Sequence, residues 1–161
     1  MDIQINRRGY ARLRSGRHSM SGWSYLVTTV CVDRFAWFAH PDIALAVATL
    51  HQSPDLFADA ELRSWVLMPD HWHGLLQLGN HSSLSALMNR FKTRTAMATN
   101  SVQGRRGAIW FSGFHDRALR DDREIQAATA YIRNNPVRAG LCREPHDYPW
   151  MKSDCPLEFG P

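Results

Sequence analysis

Met68-Pro69-Asp70-His71-Trp72-His73-Gly74-Leu75-Leu76 is the stretch around which the rest of the chain is arranged. Two histidines sit two residues apart in an apolar run, and Pro69-Asp70 punctuates the chain just before them. On a β-strand alternate side chains share a face, so His71 and His73 point one way and Trp72 points the other, toward the core. Two imidazoles side by side on a rigid strand make half of a metal site. Immediately upstream, Leu62 to Met68 reads as a second strand. The two lie so close in sequence that an antiparallel hairpin is the simplest connection.

Outward from this hairpin the elements follow in order. Trp23 to Val32 reads as a strand that is apolar or β-branched on both faces, hence central and buried. Pro41-Asp42 opens a helix carrying Ile43, Val47 and Leu50, which ends before Pro54. Ser82 or Ser83 caps a second helix with Leu84, Leu87, Met88 and Phe91 as its apolar stripe. Ile109 to Leu119 reads as a fourth strand interrupted by Gly113. Asp121 with Glu124 resembles a capping box, opening a last helix with Ile125, Ala128 and Ile132 inward. Pro136 predicts that this helix ends near Asn135.

Strand, helix, strand, strand, helix, strand is an α+β order. It predicts a ferredoxin-like βαββαβ antiparallel sheet with helices on one face, plus an added C-terminal helix. Residues 1–22 read as a basic arm, 23–140 as the one folded domain and 141–161 as a Pro-rich wrapping tail.

The 161 residues suit one domain, 44% of them hydrophobic, and no run approaches the length of a membrane span. No apolar segment follows the N-terminal arginines as a secretory signal would require. Three widely spaced cysteines (Cys31, Cys142, Cys155) form no CxxC pair and predict reduced thiols in a cytoplasmic protein. The net charge is +4 and the pI about 9.3. Five arginines (Arg7, Arg8, Arg12, Arg14, Arg17) crowd the start of the chain, a pattern of nucleic-acid binding or of a solvated tail.

The histidine pair must find partners elsewhere. A metallo-β-lactamase-like site wants Asp-His directly after it and a cupin-like site a nearby Glu, where Leu75, Leu76 and Gln77 stand. A zincin needs histidines four apart on a helix. Tyr131 and Asn135, four apart, share one face of the last helix. On the residues alone, Tyr131 reads equally as a core-edge ring and Asn135 as a helix-ending residue.

At these residues the chain resembles a known family. Met68-Pro69-Asp70-His71-Trp72-His73 is similar to the His-hydrophobe-His motif of the single-tyrosine HUH (IS200-like) transposases. Tyr131-Ile132-Arg133-Asn134-Asn135-Pro136-Val137-Arg138-Ala139-Gly140 resembles their tyrosine-helix signature. Leu84 to Arg94, Phe114 to Arg120 and Asp147-Tyr148-Pro149-Trp150 are similar as well. The resemblance spans roughly Trp23 to Trp150 and lies nearest the REP-associated tyrosine transposases.

The resemblance implies that His71, His73 and Asn135 hold Mg²⁺ or Mn²⁺ and that Tyr131 is the nucleophile. It implies a single-strand DNA endonuclease and strand transferase acting on repeated palindromic hairpins through a 5′-phosphotyrosine link. The stand-alone branch implies a monomer rather than a swapped dimer, associated with the nucleoid when bound to DNA. A domesticated hairpin-binding protein without cleavage is the alternative. A relaxase or replication initiator fits less well a short chain with one tyrosine in this helix. No small-molecule cofactor or membrane partner is expected. Candidates for the DNA backbone are Arg7, Arg8 and Arg12 in the arm, Arg90, Lys92 and Arg94 on the second helix, and Arg105 and Arg106 in the turn after it.

Overall fold

The computed structural model describes residues 19–153. Arg7, Arg8 and Arg12 lie outside them. Five strands form one antiparallel sheet: β1 (Ser24–Val30), β2 (Ala60–Met68), β3 (His71–Leu78), β4 (His115–Leu119) and β5 (Met151–Ser153). Their order is β4-β1-β3-β2-β5. The first four strands have the expected βαββαβ arrangement, and β5 extends the β2 edge from the segment after the last helix.

The helices divide between the two faces. Helices α1 (Pro41–Leu50) and α2 (Leu84–Gln103) cover one face, where Tyr25, Val27, Trp65, Leu67, Trp72 and Leu76 meet Ile43, Val47, Leu87, Met88 and Phe91. Helix α3 (Asp122–Arg138) covers the other, packing Ala128 and Ile132 on Val66, Met68, Leu75 and Leu119. Residues of both faces are buried at the sheet centre, which is why β1 and β3 lack a clean polar alternation.

Trp72 lies in the α1/α2 core, fully buried. Its indole N–H donates to His51 Nε2 at 3.0 Å. The ring leaves no room beside it: a Cβ on Gly74 would overlap the Trp72 ring. Glycine in the interior of this strand is therefore a packing requirement.

Caps form where the sequence places them. Ser83 accepts from Ala86 N–H at 3.1 Å, and Asp121 accepts from Glu124 N–H at 2.9 Å. Glu124 reaches back one residue further than a capping box, to Arg120 N–H at 2.8 Å. Two boundaries differ from expectation. The fourth strand is only His115–Leu119, and upstream of it Trp110 makes a lone bridge to Cys31. Trp110 is buried in the α1/α2 core, its N–H donating to Thr95 Oγ1 at 2.8 Å. Helix α3 continues through Pro136 to Arg138 rather than stopping near Asn135. Proline costs the helix the bond to the Ile132 carbonyl, and burial of the Pro136 ring offsets that loss. The chain then turns at Gly140 (φ +71°).

Candidate active site

The hairpin turn at Pro69-Asp70 starts β3 with His71 facing α3. Antiparallel register puts directly opposed residues on one face. One row across the sheet is Val66, His73, Thr28 and His115, and the next is Met68, His71 and Val30. The α3 face thus carries three histidines, one of them, His115, from a strand distant in sequence. The His71 and His73 rings are 4.8 Å apart and nearly perpendicular.

Each ring is anchored through Nδ1. His71 Nδ1 donates to Asp70 Oδ1 at 2.6 Å. The carboxylate fixes this tautomer and leaves the Nε2 lone pair for a ligand. His73 Nδ1 is 2.7 Å from Thr28 Oγ1, its neighbour across β1. The other oxygen of Asp70 pairs with Arg34 Nε at 2.9 Å.

The electrostatics keep these groups in useful forms. Burial, then the charges of His71 and Arg34, push His73 down to about 3, so its ring is neutral near pH 7. Asp70 is held below the usual carboxylate range by His71 and Arg34, against the opposing effect of its burial. Burial and the Asp70 charge push the Cys31 thiol up to about 12, and its side chain lies in the α1/α2 core.

Helix α3 delivers Tyr131. Ala128, Ile132 and Pro136 anchor the helix on the sheet, and Tyr131 at the margin of that contact sets its ring edge-on to His73, centroids 5.2 Å apart. The Arg138 guanidinium lies 5.6 Å from the centre of the Tyr131 ring. Asn135 is one turn beyond Tyr131 and half-buried, with its backbone carbonyl accepting from Ala139 N–H.

Among the described residues no three His, Cys, Asp or Glu side chains cluster as a metal site would need. The further donor expected from the sequence is the Asn135 amide oxygen, one helical turn beyond Tyr131. Two imidazoles held side by side through their Nδ1 atoms fit a divalent cation, and an amide oxygen suits a hard one.

The basic candidates on α2 lie on the opposite side of the sheet from Tyr131 and have partners there. Lys92 donates to the Phe111 and Gly113 carbonyls at 2.7 and 2.8 Å. Arg90 reaches Asp55 O at 3.3 Å, and Arg94 reaches Ser53 Oγ at 3.5 Å. Arg105 stacks over Trp37 at 4.6 Å and bonds Asn100 Oδ1 at 3.2 Å. Arg106 is exposed. Sequence reading missed Thr28, Asp70 and Arg34 as neighbours of the histidines. Asp70 was visible as the residue before His71. Thr28 needs the β1–β3 register and Arg34 the loop after β1.

The pattern described as "Transposase IS200 like" matches residues 19–135. This chain belongs to the IS200-like transposase family, a family of DNA-processing enzymes. A protein of Haemophilus influenzae described as uncharacterized is 20% identical over 167 residues, covering 83% of this chain and 90% of its own. Two solved structures share the fold. One is described as the REP associates tyrosine transposase bound to a REP hairpin, with TM-score 0.66 and 20% identity over 86% of this chain and 81% of that one. The other is a putative transposase from Deinococcus radiodurans R1, with TM-score 0.52 and 18% identity over 75% of this chain and 96% of that one.

Proposed function

We propose that this chain is a metal-dependent single-strand DNA endonuclease and strand transferase of the REP-associated branch, with Tyr131 as nucleophile. The observation that carries the reading is the edge-on contact of Tyr131 with His73, 5.2 Å between ring centres, reached from two elements far apart in sequence. The similar fold that was solved with a REP hairpin supports a palindromic DNA hairpin as substrate.

His71 Nε2, His73 Nε2 and the Asn135 amide oxygen would hold Mg²⁺ or Mn²⁺. Once bound, the ion supplies charge neutralisation and orientation at the scissile phosphate. The chain's residues do the rest. Asp70 and Thr28 hold the two rings by Nδ1, and α3 presents the Tyr131 hydroxyl from above the sheet. Its oxygen forms a bond to phosphorus as the P–O3′ bond breaks. The 3′-oxygen departs as a free hydroxyl and the 5′-phosphate stays on Tyr131. Attack on that link by another 3′-OH releases Tyr131 and joins a new strand. Positioning of this kind supplies much of a phosphoryl transfer barrier reduction.

The test is a labelled hairpin with a single-stranded foot, incubated with Mn²⁺ and resolved on a denaturing gel. Wild-type protein should retain covalent label and Tyr131→Phe should not. An adduct that survives Tyr131→Phe refutes the nucleophile. Tight hairpin binding with no wild-type cleavage favours the domesticated binding protein instead.

A further inference from the structure

We propose that Arg34 is a phosphate-binding residue of this site, placed to take the non-bridging oxygens of a nucleic-acid linkage beside His71, His73 and Tyr131. This rests on the reading of the site given above and adds a residue that carries no motif.

The loop after β1 is built in an unfavourable backbone conformation. Asp33 (φ +52°) and Arg34 (φ +56°) are consecutive and both left-handed, a region that L side chains rarely enter. The loop is held on several sides. Cys31 N–H donates to the Asp70 carbonyl at 2.8 Å, Val32 N–H to the Ile109 carbonyl at 2.9 Å, and Phe35 N–H to the Val32 carbonyl at 3.1 Å. Such over-determined strain persists where a side chain must be aimed.

What is aimed is a guanidinium. Arg34 Nε pairs with Asp70 Oδ2 at 2.9 Å while Oδ1 of the same carboxylate takes the His71 ring. One carboxylate thus sets both an imidazole and a guanidinium. Nη1 and Nη2 have no protein partner among the described residues, and the Arg34 side chain is 54% exposed beside an Asp70 side chain at 21%. The pair leaves a planar edge of N–H groups facing solvent at the mouth of the site. That edge matches two phosphate oxygens in the bidentate way a lysine cannot. A partly exposed ion pair adds too little stability to account for two left-handed residues, so stability alone does not explain the arrangement. The next ring, Phe35, is exposed as well, as suits single-strand contact.

The experiment binds the full chain, without metal, to a hairpin DNA with a single-stranded foot taken from the repeats of its own genome. Methylphosphonates replace the foot phosphates one at a time. At one linkage, loss of charge should weaken wild-type binding about tenfold, and Arg34→Ala should be weaker by the same factor and indifferent to that replacement. Arg34→Lys should recover part of the binding and serves as the second variant should Arg34→Ala fold poorly. With saturating Mn²⁺, Arg34→Ala should cleave about 100-fold more slowly, its half-saturating Mn²⁺ moving less than about threefold.

Two results overturn the proposal. One is Arg34→Ala and Arg34→Lys keeping the wild-type sensitivity at every linkage, or the wild type having none. The other is a rise in half-saturating Mn²⁺ that accounts for all the lost cleavage, which leaves Arg34 only to brace Asp70. A sensitive linkage in a wild-type protein that never cuts sinks the nuclease reading while the Arg34 contact stands.

Discussion

Tyr131 stands edge-on to His73, ring centres 5.2 Å apart, and the His73 ring is anchored through Nδ1 by Thr28. The pair joins the α3 face of the sheet to its central strand pair. If His71 and His73 serve metal while the DNA backbone is gripped elsewhere, the two functions separate. His71→Ala should abolish Mn²⁺-dependent cleavage yet leave hairpin affinity within about threefold, since phosphate contacts supply most of the affinity. Gel-shift and cleavage assays on the same preparation check this, and a parallel loss of both would contradict it.

Asp70 orients the His71 ring through a 2.6 Å bond. Asp70→Asn keeps the shape but removes the charge and offers a weaker acceptor. Loss of such an outer partner costs metal affinity about 10–100-fold. Titration of free Mn²⁺ by electron paramagnetic resonance should show that weakening. An unchanged affinity would mean that His71 needs no orienting group.

His51 predicts a pH dependence of stability. It donates from Nδ1 to the Val47 carbonyl at 3.0 Å and accepts from Trp72 through Nε2 at 3.0 Å, stacked 3.8 Å from the Trp65 ring. Burial pushes it down from 6.5 to about 4. Below pH 6.5 the unfolded chain takes up a proton that the folded chain refuses until about pH 4. Stability is therefore full above about 6.5 and declines as pH falls toward 4, by about 3 kcal/mol from this group. His73 acts in the same direction. Urea unfolding at pH 7.5 and 4.5 measures the decline, and His51→Gln should flatten it. An identical slope in that variant would place the effect elsewhere.

Lys92 and Arg106 should behave differently although both are basic. Lys92 closes the 111–113 turn through two carbonyls. Lys92→Met keeps the apolar stem and loses both bonds, so chemical unfolding should show a loss of about 2 kcal/mol. Exposed Arg106 has no such task. Arg106→Ala should leave stability unchanged and, if this turn meets a single strand, lower the salt slope of binding by about 0.7. An unaltered slope removes Arg106 from the interface.

Much of this was written in local pattern. The alternation around His71 and His73, with Trp72 on the opposite face, follows from strand geometry alone, and the caps at Ser83 and Asp121 follow from side-chain chemistry within three or four residues. The end of α3 was misread because a local rule about proline ignores what burying the Pro136 ring returns. The fourth strand was drawn too long because Ile109 and Trp110 are apolar for the sake of the α1/α2 core, not for strand pairing. Spacing along α2 placed Arg90, Lys92 and Arg94 close together, but not the groups each one meets: the Asp55 carbonyl, the Phe111 and Gly113 carbonyls, and the Ser53 hydroxyl.

By itself the sequence determined the order of elements, the paired histidines on one strand face and the tyrosine on a late helix, because these depend on periodicity and neighbours in the chain. Only the tertiary structure decided that α3 crosses to the face away from α1 and α2 and so meets those histidines. That choice depends on which apolar surface of the sheet is left uncovered. It also decided that Thr28 holds the His73 ring and that Arg34 shares the Asp70 carboxylate with His71. Strand register and the loop after β1 bring those groups together, and neither distance is encoded in any short stretch of residues.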